Sequence, residues 1–266
     1  MELQSLKLVC FSPTGTTKKV AQSIVKGLNI EKVHQYDITK PEGRGNIIEA
    51  GEEELLVVAV PVYMGRVPSL IIECLSNIKG KKTPTVCVVV YGNRTSGNAL
   101  LELNDILTKT GCITIAGGAF IGEHSFSTAE LPIAKSRPNV DDLRYATNFG
   151  NKIKEKLLSV STIDEISNVK IPGKYPYGGV TELWSVDFIA VSNKCSNKGI
   201  CSEVCPTGAI NKEDTSIIDI EKCISCCACI KSCPENARTI KESKVKEAAI
   251  RLNSLFQEPK APEVYY

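Results

Sequence analysis

The sequence predicts an α/β protein, a doubly wound parallel sheet of five strands followed by a small cysteine-rich unit. Two observations carry this reading. Short apolar runs alternate with segments of helical periodicity through residues 1–160, as in a parallel sheet covered by helices on both faces. The 12 cysteines then divide unevenly: Cys10, Cys74, Cys87 and Cys112 are scattered, and the others crowd into residues 195–233.

The elements follow in order. Residues 6–11 read as the first strand and Ser12-Pro13-Thr14-Gly15 as a turn. A helix then starts near Thr16, because Val20, Ile24, Val25 and Leu28 recur at helical spacing. Further strands are expected at 33–38, 55–60, 85–91 and 113–120, with helices at 69–77 and 98–110. Leu143, Ala146, Phe149, Ile153 and Leu157 mark the last helix of this unit, which ends near residue 160. Residues 161–191 break the pattern with Pro172, Gly173, Pro176, Gly178 and Gly179, and read as a linker or an arm laid over the first unit. Residues 192–240 hold too few apolar side chains for an ordinary core, so a metal is expected to hold them. In the last stretch, 241–266, Val245, Ala248, Ala249, Leu252, Leu255 and Phe256 give an amphipathic docking helix, followed by a tail.

Composition excludes several function classes. The 266 residues are 42% hydrophobic, and Lys+Arg 32 against Asp+Glu 30 leaves a net charge of +2. That is too little basic surplus for a general nucleic-acid binder. With only His34 and His124, mechanisms built on several imidazoles are ruled out. The longest apolar run, 55–60, falls far short of the roughly 20 residues that span a bilayer. The first residues lack the basic and apolar regions of a secretory signal, so a cytoplasmic location is expected. Clustered cysteines in a reducing compartment point to metal or redox chemistry rather than disulfides.

The strongest motif is Cys223-Ile-Ser-Cys226-Cys227-Ala-Cys229-Ile-Lys-Ser-Cys233-Pro234. Through Cys223, Cys226, Cys229 and Cys233 it has the C-x2-C-x2-C-x3-C-P spacing that wraps a cubane iron–sulfur cluster, the fourth cysteine serving the other cluster where there are two. Zinc sites usually use separated C-x2-C pairs, which makes zinc the weaker alternative. Upstream, Cys195, Cys201 and Cys205-Pro206 keep the same spacing, with Lys198 at the second position. The endings Cys205-Pro-Thr-Gly-Ala209 and Cys233-Pro-Glu-Asn-Ala237 form an internal repeat. Crossing the ligands assigns Cys205, Cys223, Cys226 and Cys229 to one 4Fe-4S cluster and leaves Cys195, Cys201 and Cys233 for a second site. Three thiolates can hold a 3Fe-4S cluster or a 4Fe-4S cluster with one open iron, or the site has decayed. Lys198 is not expected to ligate, because an ammonium has no lone pair. Cys227 reads as a spare buried thiol.

A second motif, Ser12-Pro-Thr14-Gly15-Thr16-Thr17-Lys18, follows the first strand and opens the first helix. Backbone N–H groups and hydroxyls there face an anion, helped by the helix dipole; an ordinary helix cap is the plain alternative. There is no nucleoside-triphosphate loop and no dinucleotide fingerprint, and Cys10 lacks a phosphatase's loop arginine.

The [ST]-x-T-G-x-T pattern at this place resembles the loop with which flavodoxins grip the phosphate of FMN. Together with the cysteine region, nearly the whole chain resembles the fused flavodoxin–ferredoxin proteins of anaerobes, the EFR family. The resemblance includes residues 61–68, 90–94 and 121–127, and the chain departs from the usual pattern at Lys198. It implies a flavodoxin-like sheet of order 2-1-3-4-5, followed by a small α+β bacterial ferredoxin-like domain. Ser12, Thr14, Gly15, Thr16 and Thr17 would hold the phosphate of FMN. Pro61, Tyr63, Met64 and Gly65, with Tyr91, Gly92 and Asn93, would lie beside the flavin ring, Tyr63 and Tyr91 flanking it. Gly65 and Gly92 would let backbone approach the ring. Arg66 and Arg94 would either balance charge there or lie in solvent. His124 is expected mainly to fix its own loop, and His34 has no evident function.

The expected function is electron transfer between FMN, iron–sulfur clusters and external redox proteins, of ferredoxin or reductase type. An FMN-dependent reductase of a small substrate fed through the clusters is the alternative, and a redox sensor the third. No nucleic acid partner and no membrane span are expected, and a homodimer is left open.

Overall fold

The computed structural model describes residues 1–179 and 185–266. Strands β1 (Ser5–Cys10), β2 (Val33–Asp37), β3 (Glu54–Pro61), β4 (Thr83–Tyr91) and β5 (Cys112–Ile121) form a parallel sheet in the order β2-β1-β3-β4-β5. This is the flavodoxin-like 2-1-3-4-5 order, with its switch point between β1 and β3.

The strands read as near-continuous apolar runs because both faces are covered. Leu55, Val57 and Ala59 of β3 face a core that takes in Val20 and Ile24 of α1 (Thr16–Leu28) and Phe149 and Ile153 of α4 (Val140–Leu158). The intervening Leu56, Val58 and Val60 face the other core, built with Ile71 and Leu75 of α2 (Ser69–Ser76) and Leu103 and Leu107 of α3 (Ala99–Lys109). Helices α1 and α4 cross at backbone contact: a Cβ on Gly27 would lie 2.0 Å from the Thr147 carbonyl oxygen, and one on Gly150 2.2 Å from that of Ile24. The scattered cysteines are core residues, and burial pushes the thiols of Cys10 and Cys87 up to about 12.

The described part of the arm packs on the sheet. Val169 and Ile171 join the α2–α3 core, and Tyr177 donates to Asp105 of α3 at 2.6 Å. Residues 180–184 of the expected linker lie outside the described residues.

The cysteine-rich unit is closed by the antiparallel strands β6 (Ile189–Val191) and β7 (Arg238–Ile240) around a small core of Phe188, Ile210, Cys227 and Ile240. Its repeat is visible in the backbone. The Ala209 N–H donates to the Cys205 Sγ and the Ala237 N–H to the Cys233 Sγ, each at 3.3 Å. This unit is tied to the sheet through Arg44 Nη2 to the Pro206 carbonyl at 2.7 Å and Lys231 Nζ to Glu123 Oε1 at 2.9 Å.

One element corrects the expected five-stranded sheet. After α5 (Lys244–Leu255) the tail returns and adds β8 (Glu263–Tyr265), antiparallel to β5, as a sixth strand. Three residues are too few to show a period in sequence.

Candidate functional site

The carboxyl ends of the central strands open into one cavity of about 610 Å³, where open α/β sheets bind ligands. At one end lie Thr14, Thr16 and Thr17, with the Thr14 and Thr16 hydroxyls 3.4 Å apart. Gly15, at φ 83°, turns the chain into α1, whose first turn carries no acidic residue to cancel the dipole. The Ser12 hydroxyl accepts from the Lys18 N–H at 3.0 Å, and its own N–H donates to Thr39 Oγ1 at 2.9 Å. Ser12 thus shapes the loop, while the threonines line the cavity.

The β3 loop arrives as expected. Pro61, Tyr63, Met64 and Gly65 all border the cavity, in a tight turn closed by reciprocal Tyr63–Arg66 backbone bonds of 3.0 Å. Met64 and Gly65 take φ values of 52° and 81° there. The Tyr63 ring is half-buried, and its hydroxyl is embedded beside Cys223, Cys226 and Cys227. Burial, reinforced by those thiols, holds it well above the usual tyrosine range.

The β4 end differs from expectation. Tyr91 is the last residue of the strand and borders the cavity, but it is only 4% exposed, and its hydroxyl pKa is raised by burial and by nearby Glu263. Gly92 is small for another reason: a Cβ there would lie 2.3 Å from the His124 Cδ2. Asn93, expected beside the ring, holds the tail. Its Nδ2 donates to the carbonyls of Phe256 at 2.9 Å and Glu258 at 3.0 Å, and its Oδ1 accepts from the Lys260 N–H at 3.1 Å. The Asn93→Ala change is expected to cost about 2 kcal/mol and to speed hydrogen exchange in residues 256–265. Arg66 is also committed elsewhere, with its guanidinium gripping Glu102 at 2.8 and 2.6 Å and lying over Tyr177. Arg94 stays exposed at the rim.

His124 borders the cavity with its Nδ1 accepting from the Phe126 N–H at 3.0 Å, which leaves the neutral ring's proton on Nε2. Burial, then the charges of Lys231 and Arg94, lowers its pKa from 6.5 to about 4. The folded state therefore resists a proton that the unfolded chain accepts, and stability falls as pH drops from 6.5 toward 4. A His124→Gln variant is expected to flatten that part of a melting-temperature profile.

Two walls of the cavity were not legible in sequence. One is α5, through Lys244, Ala248, Arg251 and Leu252; the other is Ile224 and Ser225, from between two cysteines of the cluster motif. The amphipathic period flagged α5 as docking, but nothing local says onto what.

Directly behind that second wall, Cys205, Cys223, Cys226 and Cys229 line a common void with apolar neighbours such as Ile210 and Ile218. Burial raises the thiols of Cys223, Cys226 and Cys229, the last to about 12, so ionising them needs a cationic partner. Cys227 borders the same void and also belongs to the small core, its Sγ 3.8 Å from the Ser225 carbonyl. At the three-cysteine site, the Ser196 N–H and the Lys198 Nζ both reach Glu235, at 3.0 Å each, which ties the Cys195 loop to the Cys233 turn. Lys198 points into this half-exposed ion pair. The Ser196 and Lys198 bonds lower the Glu235 carboxyl to about 2.

Among the described residues, the buried side-chain polar atoms without a partner are Ser225 Oγ, Ser232 Oγ and Arg238 Nη1, all within the cysteine-rich unit. Each such orphan costs about 1–3 kcal/mol, and their presence in one small unit suits a hydrogen-bond-accepting group there. Hydroxyls and a helix dipole at one end of an otherwise largely apolar cavity suit a phosphate joined to a flat ring.

Residues 216–239 match the 4Fe-4S binding domain family. The chain is 31% identical over 74 residues to the thiosulfate reductase electron transfer subunit of Salmonella typhi, covering 27% of this chain and 38% of that protein. It is 30% identical over 94 residues to a probable iron–sulfur subunit of the Frd operon of Proteus vulgaris, covering 35% and 57%. The matches thus span about half or less of these relatives' lengths. Among solved structures, a flavodoxin from the domain Archaea aligns with 58% of this chain and 99% of its own, at 15% identity and a TM-score of 0.39.

Proposed function

We propose that this chain is an electron-transfer iron–sulfur flavoprotein that relays electrons between FMN, a four-cysteine 4Fe-4S cluster and external redox proteins. One observation carries the reading: the Cys223–Cys226 loop is itself a wall of the proposed flavin cavity, and Tyr63, which lines the same cavity, has its hydroxyl beside those cysteines. Bound FMN exchanges electrons singly or in pairs, whereas a cluster moves one at a time.

The residues divide the remaining work. Thr14, Thr16 and Thr17 bind the phosphate at the head of α1, and the Pro61–Gly65 turn borders the ring. Helix α5 covers the cavity and limits solvent access, held down by Asn93 and β8. Neutral His124 offers a hydrogen bond rather than a charge. Cys205, Cys223, Cys226 and Cys229 hold the cluster. The electron-transfer and iron–sulfur subunits among the relatives favour protein partners over a small substrate. Among the described residues no helix is long and apolar enough to cross a membrane.

The test is anaerobic stopped-flow absorbance on the loaded chain. A reduced ferredoxin-type donor is expected to bleach the cluster first and the flavin after it, with NADH and NADPH slow. Rapid direct reduction of the flavin by either nucleotide would overturn the carrier reading.

A further inference from the structure

Arg238 on β7 is 2% exposed. Its Nη2 donates to the Thr215 carbonyl, and its Nη1 has no partner. Thr215 is buried too, with its Oγ1 3.7 Å from the Cys195 Sγ and 2.7 Å from Asn197 Oδ1. The guanidinium therefore lies beside the loop that carries Cys195. No carboxylate forms an ion pair with it among the described residues.

The internal repeat supplies an independent observation. The residue after the alanine is Ile210 in the first copy and Arg238 in the second. Ile210 is 4% exposed and lines the void shared by Cys205, Cys223, Cys226 and Cys229. By the same register Arg238 is assigned to the site of Cys195, Cys201 and Cys233, next to the Cys195 loop through Thr215, and its charge also reaches Cys229. Burying an uncompensated cation where isoleucine packs well is strongly unfavourable unless an anion sits there.

We propose that Arg238 is the counter-charge and hydrogen-bond donor to an iron–sulfur cluster held by Cys195, Cys201 and Cys233, at the site that Lys198 leaves one thiolate short. This rests on the cluster reading above and extends it to the second site. Reduction adds one negative charge to the cluster, so a fixed cation favours the reduced form. The three-cysteine cluster is then easier to reduce than it would be with the repeat's own isoleucine.

The test compares wild type, Arg238→Ile and Arg238→Lys, each as the full chain purified anaerobically. Iron and sulfide are counted, and both clusters are titrated by electron paramagnetic resonance. Wild type is expected to carry about seven or eight irons. Arg238→Ile is expected to keep the four-cysteine cluster with at most a smaller shift in its potential, since the Arg238 charge also reaches Cys229, while the second cluster is lost or its potential moves further negative; Arg238→Lys recovers part of the difference. Isoleucine is the residue that Ile210 already supplies in the other copy, and retained FMN reports an intact fold. Unchanged iron, signals and potentials in Arg238→Ile would overturn the role of Arg238. About four irons in wild type would overturn the second cluster and leave the first standing.

Discussion

Replacing Cys205 by alanine is expected to remove the cluster wrapped by the distant Cys223–Cys229 loop, with a loss of about four irons per chain. The four thiols line one void, so deleting one would open a cluster held there to solvent and leave Cys223, Cys226 and Cys229 one ligand short. The small core of Phe188, Ile210 and Ile240 cannot hold the unit alone, so residues 185–240 should exchange hydrogen faster while the sheet keeps its melting transition. Cys227→Ala is the control. It removes a sulfur that borders the void but stands outside the crossed ligand set, and iron content is expected to stay at the wild-type value. Loss of iron in Cys227→Ala with retention in Cys205→Ala would sink the crossed assignment.

The double change Thr14→Ala with Thr16→Ala has the second large effect. Hydroxyls bonded to a dianionic phosphate contribute about 1.5–3 kcal/mol each, so losing two is expected to weaken FMN binding by roughly 100-fold or more. Quenching of flavin fluorescence on titration with apoprotein measures it. Equal affinity in the variant would show that the phosphate does not sit at the head of α1.

Much of this was legible because the controlling forces are local. Strands buried on both faces must be apolar throughout, so β1, β3, β4 and β5 announced themselves within two residues of their ends. Cysteines of a cluster motif are set close in sequence, so a 4Fe-4S binding domain was readable from spacing alone, and Cys223, Cys226 and Cys229 do line one void. What escaped was set by contacts across the chain. Asn93 has the look of a loop-tip ligand, yet its amide is consumed by carbonyls more than 160 residues away. Arg66 has the look of a phosphate partner, yet Glu102 claims it. Tyr91 has the look of a ring-flanking aromatic, yet it is buried, with Tyr265 and Glu263 of the tail near its hydroxyl. Helix α5 showed its apolar stripe but not its destination, which is the cavity mouth. The arginine at 238 was visible as a break in the repeat, and only its burial makes that break meaningful.

The return of the tail as β8 bears on how electrons cross between the two units. The sheet holds the chain before the cysteine-rich unit, through Val169, Ile171 and Tyr177, and again after it, through Asn93 and β8. A module leashed at one end searches for its partner by diffusion, and its transfer rate then follows linker length and solvent viscosity. A module moored at both ends has no such search. Transfer between flavin and cluster in this chain should accordingly be a fixed-gap event, indifferent to added glycerol and independent of protein concentration.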